Sequence, residues 1–228
     1  MLTPGFASQE NAAAFRIDDR ARLINALNPD TADRVAGALE AQRDYNWMMA
    51  REGQSAELSE QQMSQLSEEA RKELQDSLWA DARMGRGFCY RGHRLNGSAD
   101  PVLSEFNTML NSEPVLSQIR TLTGDNRIAW ADAQATRYDR GNYLTRHLDD
   151  PADEKRLYAY VFSFCRNWHP DWGGLLQFYQ QDGTPREAWS PGFNALSLFS
   201  VRHIHSVTFV TPFAGQPRFS ITGWFHAR

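Results

Sequence analysis

The chain predicts an α+β fold: a double-stranded β-helix, or jelly roll, buttressed by the helices that precede it. Three observations carry this. Apolar residues recur at three- and four-residue steps through the first half. From Arg127 onward the chain breaks into short runs rich in Val, Phe, Tyr and Thr, separated by Gly, Pro, Asp and Asn, with no helical segment between them. At 228 residues and 41% hydrophobic content, it has enough apolar mass for one large core.

Residues 1–15 show no periodicity and read as a flexible N-terminal arm. The remainder, 16–228, reads as a single domain with helical support over 16–124 and a jelly-roll core over 125–228. The spacing predicts a helix over 29–47, capped by Asp30 or Thr31, with Val35, Leu39 and Trp47 along it. After the polar break "REGQSAE", Ser59 and Gln62 form a capping-box pattern and Ser67 offers a second start. Met63, Leu66, Ala70, Leu74 and Leu78 then follow down one face. Asp100-Pro101 opens a third helix, and Ser112 caps a fourth that stops at Gly124. Strands are predicted over 127–138, 142–149, 157–165, 174–180, 194–201, 205–210 and 217–226.

The charge balance argues against some partners. A formal net charge of -4 without a Lys/Arg run disfavours nucleic acid or an anionic membrane as the main partner. The N-terminus lacks a basic n-region and an apolar h-region, so a soluble, cytoplasmic protein is expected. Cys89 and Cys165 are the whole cysteine content and form no CxxC, so they read as reduced core residues rather than a disulfide or zinc framework.

In "GNYLTRHLDD", His147 and Asp149 sit at i and i+2 of a predicted strand and leave the same face. Alone, such an HxD is more often a common surface ion pair than a metal site. "RHIHS" supplies two further histidines, His203 and His205. Two histidines and one carboxylate make the facial triad that leaves positions open on a non-haem Fe(II). In "PRFSITGWF", Arg218 and Ser220 alternate onto one face, where a guanidinium fork and a hydroxyl suit a carboxylate. A solvated strand arginine is the other reading.

Taken in order, "YDRGNYLTRHLDD", "WHPDWGGLLQFY", "HSVTFV" and "PRFSITGWF" resemble the prolyl-4-hydroxylase-like branch of the 2-oxoglutarate/Fe(II) oxygenases, over about residues 130–226. The resemblance implies Fe(II) held by His147, Asp149 and His205. His205 is preferred to His203 because Ser206-Val207 follows it, as in the family, and a bulge at 200–202 could move His203 aside. It further implies that Arg218, helped by Ser220, binds the far carboxylate of 2-oxoglutarate and that Tyr138 lines the co-substrate pocket, although on pattern alone Tyr138 is an aromatic at a strand end. Trp224, Val161 and Leu176 fall at the expected substrate mouth. One position departs from the pattern: several hydroxylases carry a tyrosine where this chain has Ser163, with Tyr160 nearby.

O2 and 2-oxoglutarate are the implied co-substrates and ascorbate an accessory reductant. The implied reaction is hydroxylation of a C–H bond, coupled to conversion of 2-oxoglutarate into succinate and CO2. Asp149 favours hydroxylation over halogenation, because related halogenases leave that position free for halide. The leading substrate is a prolyl residue in a protein, with a free amino acid or other small molecule as the alternative. A jelly-roll binding module without turnover and a cupin-type hydrolase or isomerase are the rivals from other classes. The segments 149–156 and 181–193 are the expected pocket walls.

Overall fold

The computed structural model describes residues 2–51, 53–149 and 155–228. Elements are numbered in chain order. Residues 2–15 are docked rather than forming the flexible arm expected over 1–15. Helix α1 spans Gln9–Asp18, and the Ser8 hydroxyl caps it by accepting from the Asn11 N–H. Phe6 and Phe15 are buried, and Phe15 meets Tyr158 edge-on at 5.7 Å. Within α1 only Ala12 and Phe15 are buried, a contact too sparse to register as periodicity.

The expected helical half also contains strands: β1 (Arg20–Ile24), β2 (Asn46–Arg51), β3 (Gln54–Leu58) and β4 (Phe88–Arg94). Helix α2 runs over Pro29–Ala41. Asn28, rather than Asp30 or Thr31, caps it, its side-chain oxygen accepting from the Asp30 N–H at 3.0 Å. The helix stops at Ala41, so Trp47 belongs to β2, where pairing with Arg91 of β4 overrides the helical spacing. The capping box at Ser59/Gln62 starts α3 (Glu60–Gln65), and Ser67 starts α4 (Glu68–Arg83). Asp100 caps α5 (Pro101–Leu110). Ser112 precedes α6 (Glu113–Thr123), but its hydroxyl donates backward to Met109 O instead of capping. Gly124, at φ 77°, ends α6 in the left-handed conformation.

The second half follows the predicted runs: β5 (Trp130–Ala131), β6 (Gln134–Tyr138), β7 (Tyr143–His147), β8 (Arg156–Phe164), β9 (Leu176–Tyr179), β11 (Phe193–Ser200), β12 (His205–Val207) and β13 (Arg218–His226). Strand β10 (Pro185–Trp189) was not foreseen, being an exposed strand whose residues show no apolar alternation. It lies in the expected wall segment 181–193. Of the other wall segment, 149–156, residues 150–154 lie outside the described residues.

The strands form one curled, antiparallel sheet in the order β1-β11-β8-β13-β6-β4-β7-β12-β9-β10. Strand β4 joins its two halves, pairing with β6 through 91–94 and with β7 through 88–89. The alternation of β8 and β13 sorts their residues. Phe162, Phe164, Ile221 and Phe225 pack with Leu39, Phe106, Leu116 and Ile119 in the main core beneath the helices. Val161, Ser163, Arg218, Ser220 and Trp224 have the opposite parity and line the inside of the roll. Among the described residues, no helix is long and apolar enough to cross a membrane.

Because Phe15 is fully buried in this core, Phe15→Ala should lower the unfolding free energy by about 3–5 kcal/mol in a denaturant titration. A change under about 0.5 kcal/mol would mean that the N-terminal segment is not docked.

Candidate metal centre and anion site

Strand β7 ends at His147 and β12 begins at His205, and the two histidines are direct partners in that antiparallel pair. Such partners project from the same face, and the two rings lie 4.3 Å apart between centroids. Asp149, two residues past the end of β7, turns its buried carboxylate between them. His147 Nε2 is 3.4 Å from Oδ1 and His205 Nε2 is 3.6 Å from Oδ2. Each histidine also has its Nδ1 2.9 Å from a backbone carbonyl, Thr145 O for His147 and His203 O for His205. A carbonyl can only accept, so each Nδ1 carries the proton and each Nε2 offers its lone pair to the common centre. The three ligand atoms lie within 4.8 Å of one another, a group that could hold a metal ion.

Electrostatics act on the two histidines in opposite directions. Burial pushes His205 down to about 4 against the opposing pull of the Asp149 charge, so near neutral pH it has the uncharged form that binds metal. Burial would also lower His147, but the hydrogen bond and charge of Asp149 outweigh it and leave the pKa raised. Asp149 is held below its usual range: burial works to raise it, while His147 and the neighbouring histidine charge prevail. The Trp224 indole lies near enough to contribute, although its N–H does not reach hydrogen-bond geometry with any acceptor.

His203 is not part of this group. The chain leaves β11 at Ser200 and turns before β12, so the regular alternation that would align His203 with His205 is broken. Its Nε2 lies 2.8 Å from Asp18 O, and its ring packs edge-on against Phe178. The other histidines have structural contacts. His93 lies between Asp44 O and Ser98 Oγ, His169 caps a short 3-10 turn, and His226 stacks on Trp130 at 3.9 Å. Both cysteines are free and buried, as expected.

Arg218 begins β13 and is only 2% exposed. Its Nη1 donates to Ser220 Oγ at 2.9 Å, Ser220 Oγ lies 2.9 Å from Thr136 Oγ1, and the guanidinium sits 5.2 Å from the Tyr138 ring centroid. Tyr138 in turn stacks on Tyr90. Among the described residues no carboxylate pairs with Arg218, and its Nε is buried without a partner. An unpaired buried charge is costly, so the site fits an anion that the described residues do not supply. The glycine pair of "WGGLL" makes the room. A Cβ on Gly173 would stand 1.9 Å from Phe209 O, and one on Gly174 would stand 3.1 Å from Arg218 Cδ.

Val161, Leu176 and Trp224 come together as the sequence groups them. They pack with Ala159, Phe178 and Phe199, and Phe178 and Phe199 in turn contact the His205 ring. Tyr160 does not take the place of the absent tyrosine. Its parity directs it to the helix-covered face, where its hydroxyl donates to Asp132 O. Sequence reasoning missed Tyr90 and Thr136, since Tyr90 lies on a strand read as helical and Thr136 gains meaning only beside Ser220. It also missed a cleft of about 480 Å³ bordered by Tyr90, Asn107, Asn111, Asp132, Gln134 and Trp224.

Two imidazoles and one carboxylate on one side of an ion, with an unpaired guanidinium in the same roll, suit Fe(II) and a dicarboxylate co-substrate. The comparisons agree. Residues 133–226 match the model of the 2OG-Fe(II) oxygenase superfamily. Among curated protein sequences none matches the chain. A Pseudomonas putida prolyl-4-hydroxylase is similar in structure, with a TM-score of 0.67 at 17% identity over 99% of this chain and 100% of that one. A Trichoplax adhaerens prolyl hydroxylase, in complex with a hypoxia inducible factor oxygen degradation domain peptide fragment, gives 0.66 at 15% identity over 99% and 94%. A Burkholderia pseudomallei oxidoreductase of the 2OG-Fe(II) oxygenase family gives 0.64 at 14% identity over 98% and 91%. The family match covers the stretch that carries His147, Asp149, His205 and Arg218, and the solved structures share the fold of the chain as a whole. The fold is similar to that of the prolyl-4-hydroxylases.

Two substitutions separate the neighbouring histidines. His205→Ala should abolish stoichiometric Fe(II) uptake in anaerobic dialysis, while His203→Ala should leave it within about two-fold of the parent. The reverse result would exchange their roles.

Proposed function

We propose that the protein is an Fe(II)- and 2-oxoglutarate-dependent dioxygenase that hydroxylates a C–H bond of a prolyl residue within a peptide or protein. His147, Asp149 and His205 would hold the iron. Arg218 binds the far carboxylate of 2-oxoglutarate, Tyr138 walls that pocket, and Phe178 and Phe199 keep water from the His205 side. When bound, the iron and co-substrate supply O2 activation, with 2-oxoglutarate leaving as succinate and CO2. The chain's own contribution is to position the reactants and keep the site dry.

The observation that carries the substrate reading is the cleft beside the metal centre. Trp224 lines the cleft and lies beside Asp149, Tyr90 lines it within reach of the Asp149 charge, and beyond them Asn107, Asn111 and Gln134 offer carboxamide donors and acceptors. A space of about 480 Å³ lined this way accommodates a length of polypeptide on either side of a target ring, more than a free amino acid fills. The peptide in the complex of the Trichoplax relative favours the same reading. The cupin-type rival gives the buried Arg218 nothing to bind, and a module without turnover would have no need of it.

Proline-containing peptides and free L-proline, incubated with Fe(II), 2-oxoglutarate and ascorbate, distinguish the substrate classes. The peptide should gain one oxygen atom by mass spectrometry, with one succinate formed for each. Oxygen gained by free proline alone would move the assignment to a small-molecule hydroxylase. Arg218→Ala should raise the 2-oxoglutarate requirement by about two orders of magnitude, and Arg218→Lys should fall between, keeping the charge but losing the fork. An unaltered requirement in Arg218→Ala would return the cupin-type reading.

A further inference from the structure

One carboxylate in the cleft beside the metal centre is held in place but not paired with a cationic side chain. Asp132 follows β5, and its Oδ1 accepts from the Trp224 N–H at 2.6 Å, with His226 Nε2 3.5 Å from the same oxygen. The main chains add a second link, Asp132 N–H to Trp224 O at 3.3 Å. Gly223 makes this approach possible, since a Cβ there would stand 2.1 Å from Asp132 O and 2.8 Å from Oδ1. Among the described residues no lysine or arginine pairs with Asp132 and no hydrogen bond engages Oδ2, while the side chain is 40% exposed on the wall of the cleft. The arginine of that cleft, Arg94, is committed to Glu57 at 3.2 Å.

Aromatic rings surround the carboxylate. Trp130, two residues earlier, is 45% exposed and lies flat on His226 at 3.9 Å, and Tyr90 and Trp224 line the same cleft. A carboxylate oxygen left open among aromatic faces suits an organic cation, which is attracted by the charge and by the rings at once. Trp224 ties this spot to the reaction. Its main chain holds Asp132 and its indole lies beside Asp149, so one side chain's length separates the open oxygen from the metal centre. At ~3.3 Å per residue of extended chain, a cation held at Asp132 belongs to a residue within about three positions of the one presented for reaction.

We propose that Asp132 is a specificity-determining residue, which selects peptides carrying a lysine or arginine close to the target prolyl residue by pairing with that cation beside Trp130 and Trp224. The inference rests on the peptide reading of the cleft and names the kind of peptide.

Binding without turnover tests it. Protein loaded with Mn(II) and 2-oxoglutarate under anaerobic conditions is titrated by calorimetry with capped heptapeptides of alanine around a central proline, in which lysine, norleucine or glutamate replaces each alanine in turn. Norleucine keeps the carbon stem of lysine without its charge. At one or more positions the parent should bind the lysine peptide about five-fold or more tighter than the norleucine peptide, and the glutamate peptide more weakly than either. Asp132→Asn keeps an oxygen for the Trp224 N–H and removes the charge, so the lysine-to-norleucine ratio should fall to within about two-fold. Raising the salt from ~0.05 M to ~0.5 M should shrink the ratio in the parent as well, a check that needs no variant. A ratio near one at every position in the parent overturns the proposal, and if the norleucine peptides still gain oxygen with Fe(II) and O2 the prolyl reading stands without it. A lysine preference that Asp132→Asn retains also overturns it, because the cation then has another partner. If no peptide of the series binds or gains oxygen, the peptide reading falls and this inference with it.

Discussion

A guanidinium buried without a carboxylate among the described residues is the constraint around which this molecule is arranged. Burying Arg218 forfeits its hydration, and the chain meets that cost only in part, with the Ser220 hydroxyl and the face of Tyr138. Neighbouring features follow from it. Gly173 and Gly174 clear the backbone and the arginine stem, Thr136 holds Ser220, and Tyr90 reaches from β4 to support Tyr138. The remaining deficit favours an anion bound in the roll over an empty interior.

The metal centre depends on a simpler device, the pairing of two short strands. Because His147 and His205 face each other across β7 and β12, their separation is set by sheet geometry rather than by loop conformation. The backbone carbonyls of Thr145 and His203, each two residues before the histidine it orients, settle the tautomers. His203 thus serves the centre through its main chain while its side chain attends to Asp18.

The catalytic half was legible because its chemistry repeats with strand parity. His147 with Asp149, and Arg218 with Ser220, announce themselves at i and i+2, and the apolar runs around them mark their strands. The N-terminal half was harder. Strand β4 carries "FCYRGHR", in which an arginine, a glycine and a histidine break the alternation, because its neighbours β2, β6 and β7 supply hydrogen bonds that local composition does not advertise. Helix α1 rests on two buried side chains and leaves no period to read.

The position of β13 in the sheet bears on how the molecule is made. Residues 218–226 form a central strand, flanked by β6 and β8, and carry the buried arginine. During synthesis on the ribosome, β6 and β8 are therefore exposed well before the strand that separates them exists. Until it arrives they face one another across an open slot, free to pair wrongly or with a neighbouring chain. The order of translation and the order of assembly run against each other, since the strand at the middle of this trio is made after both of its neighbours.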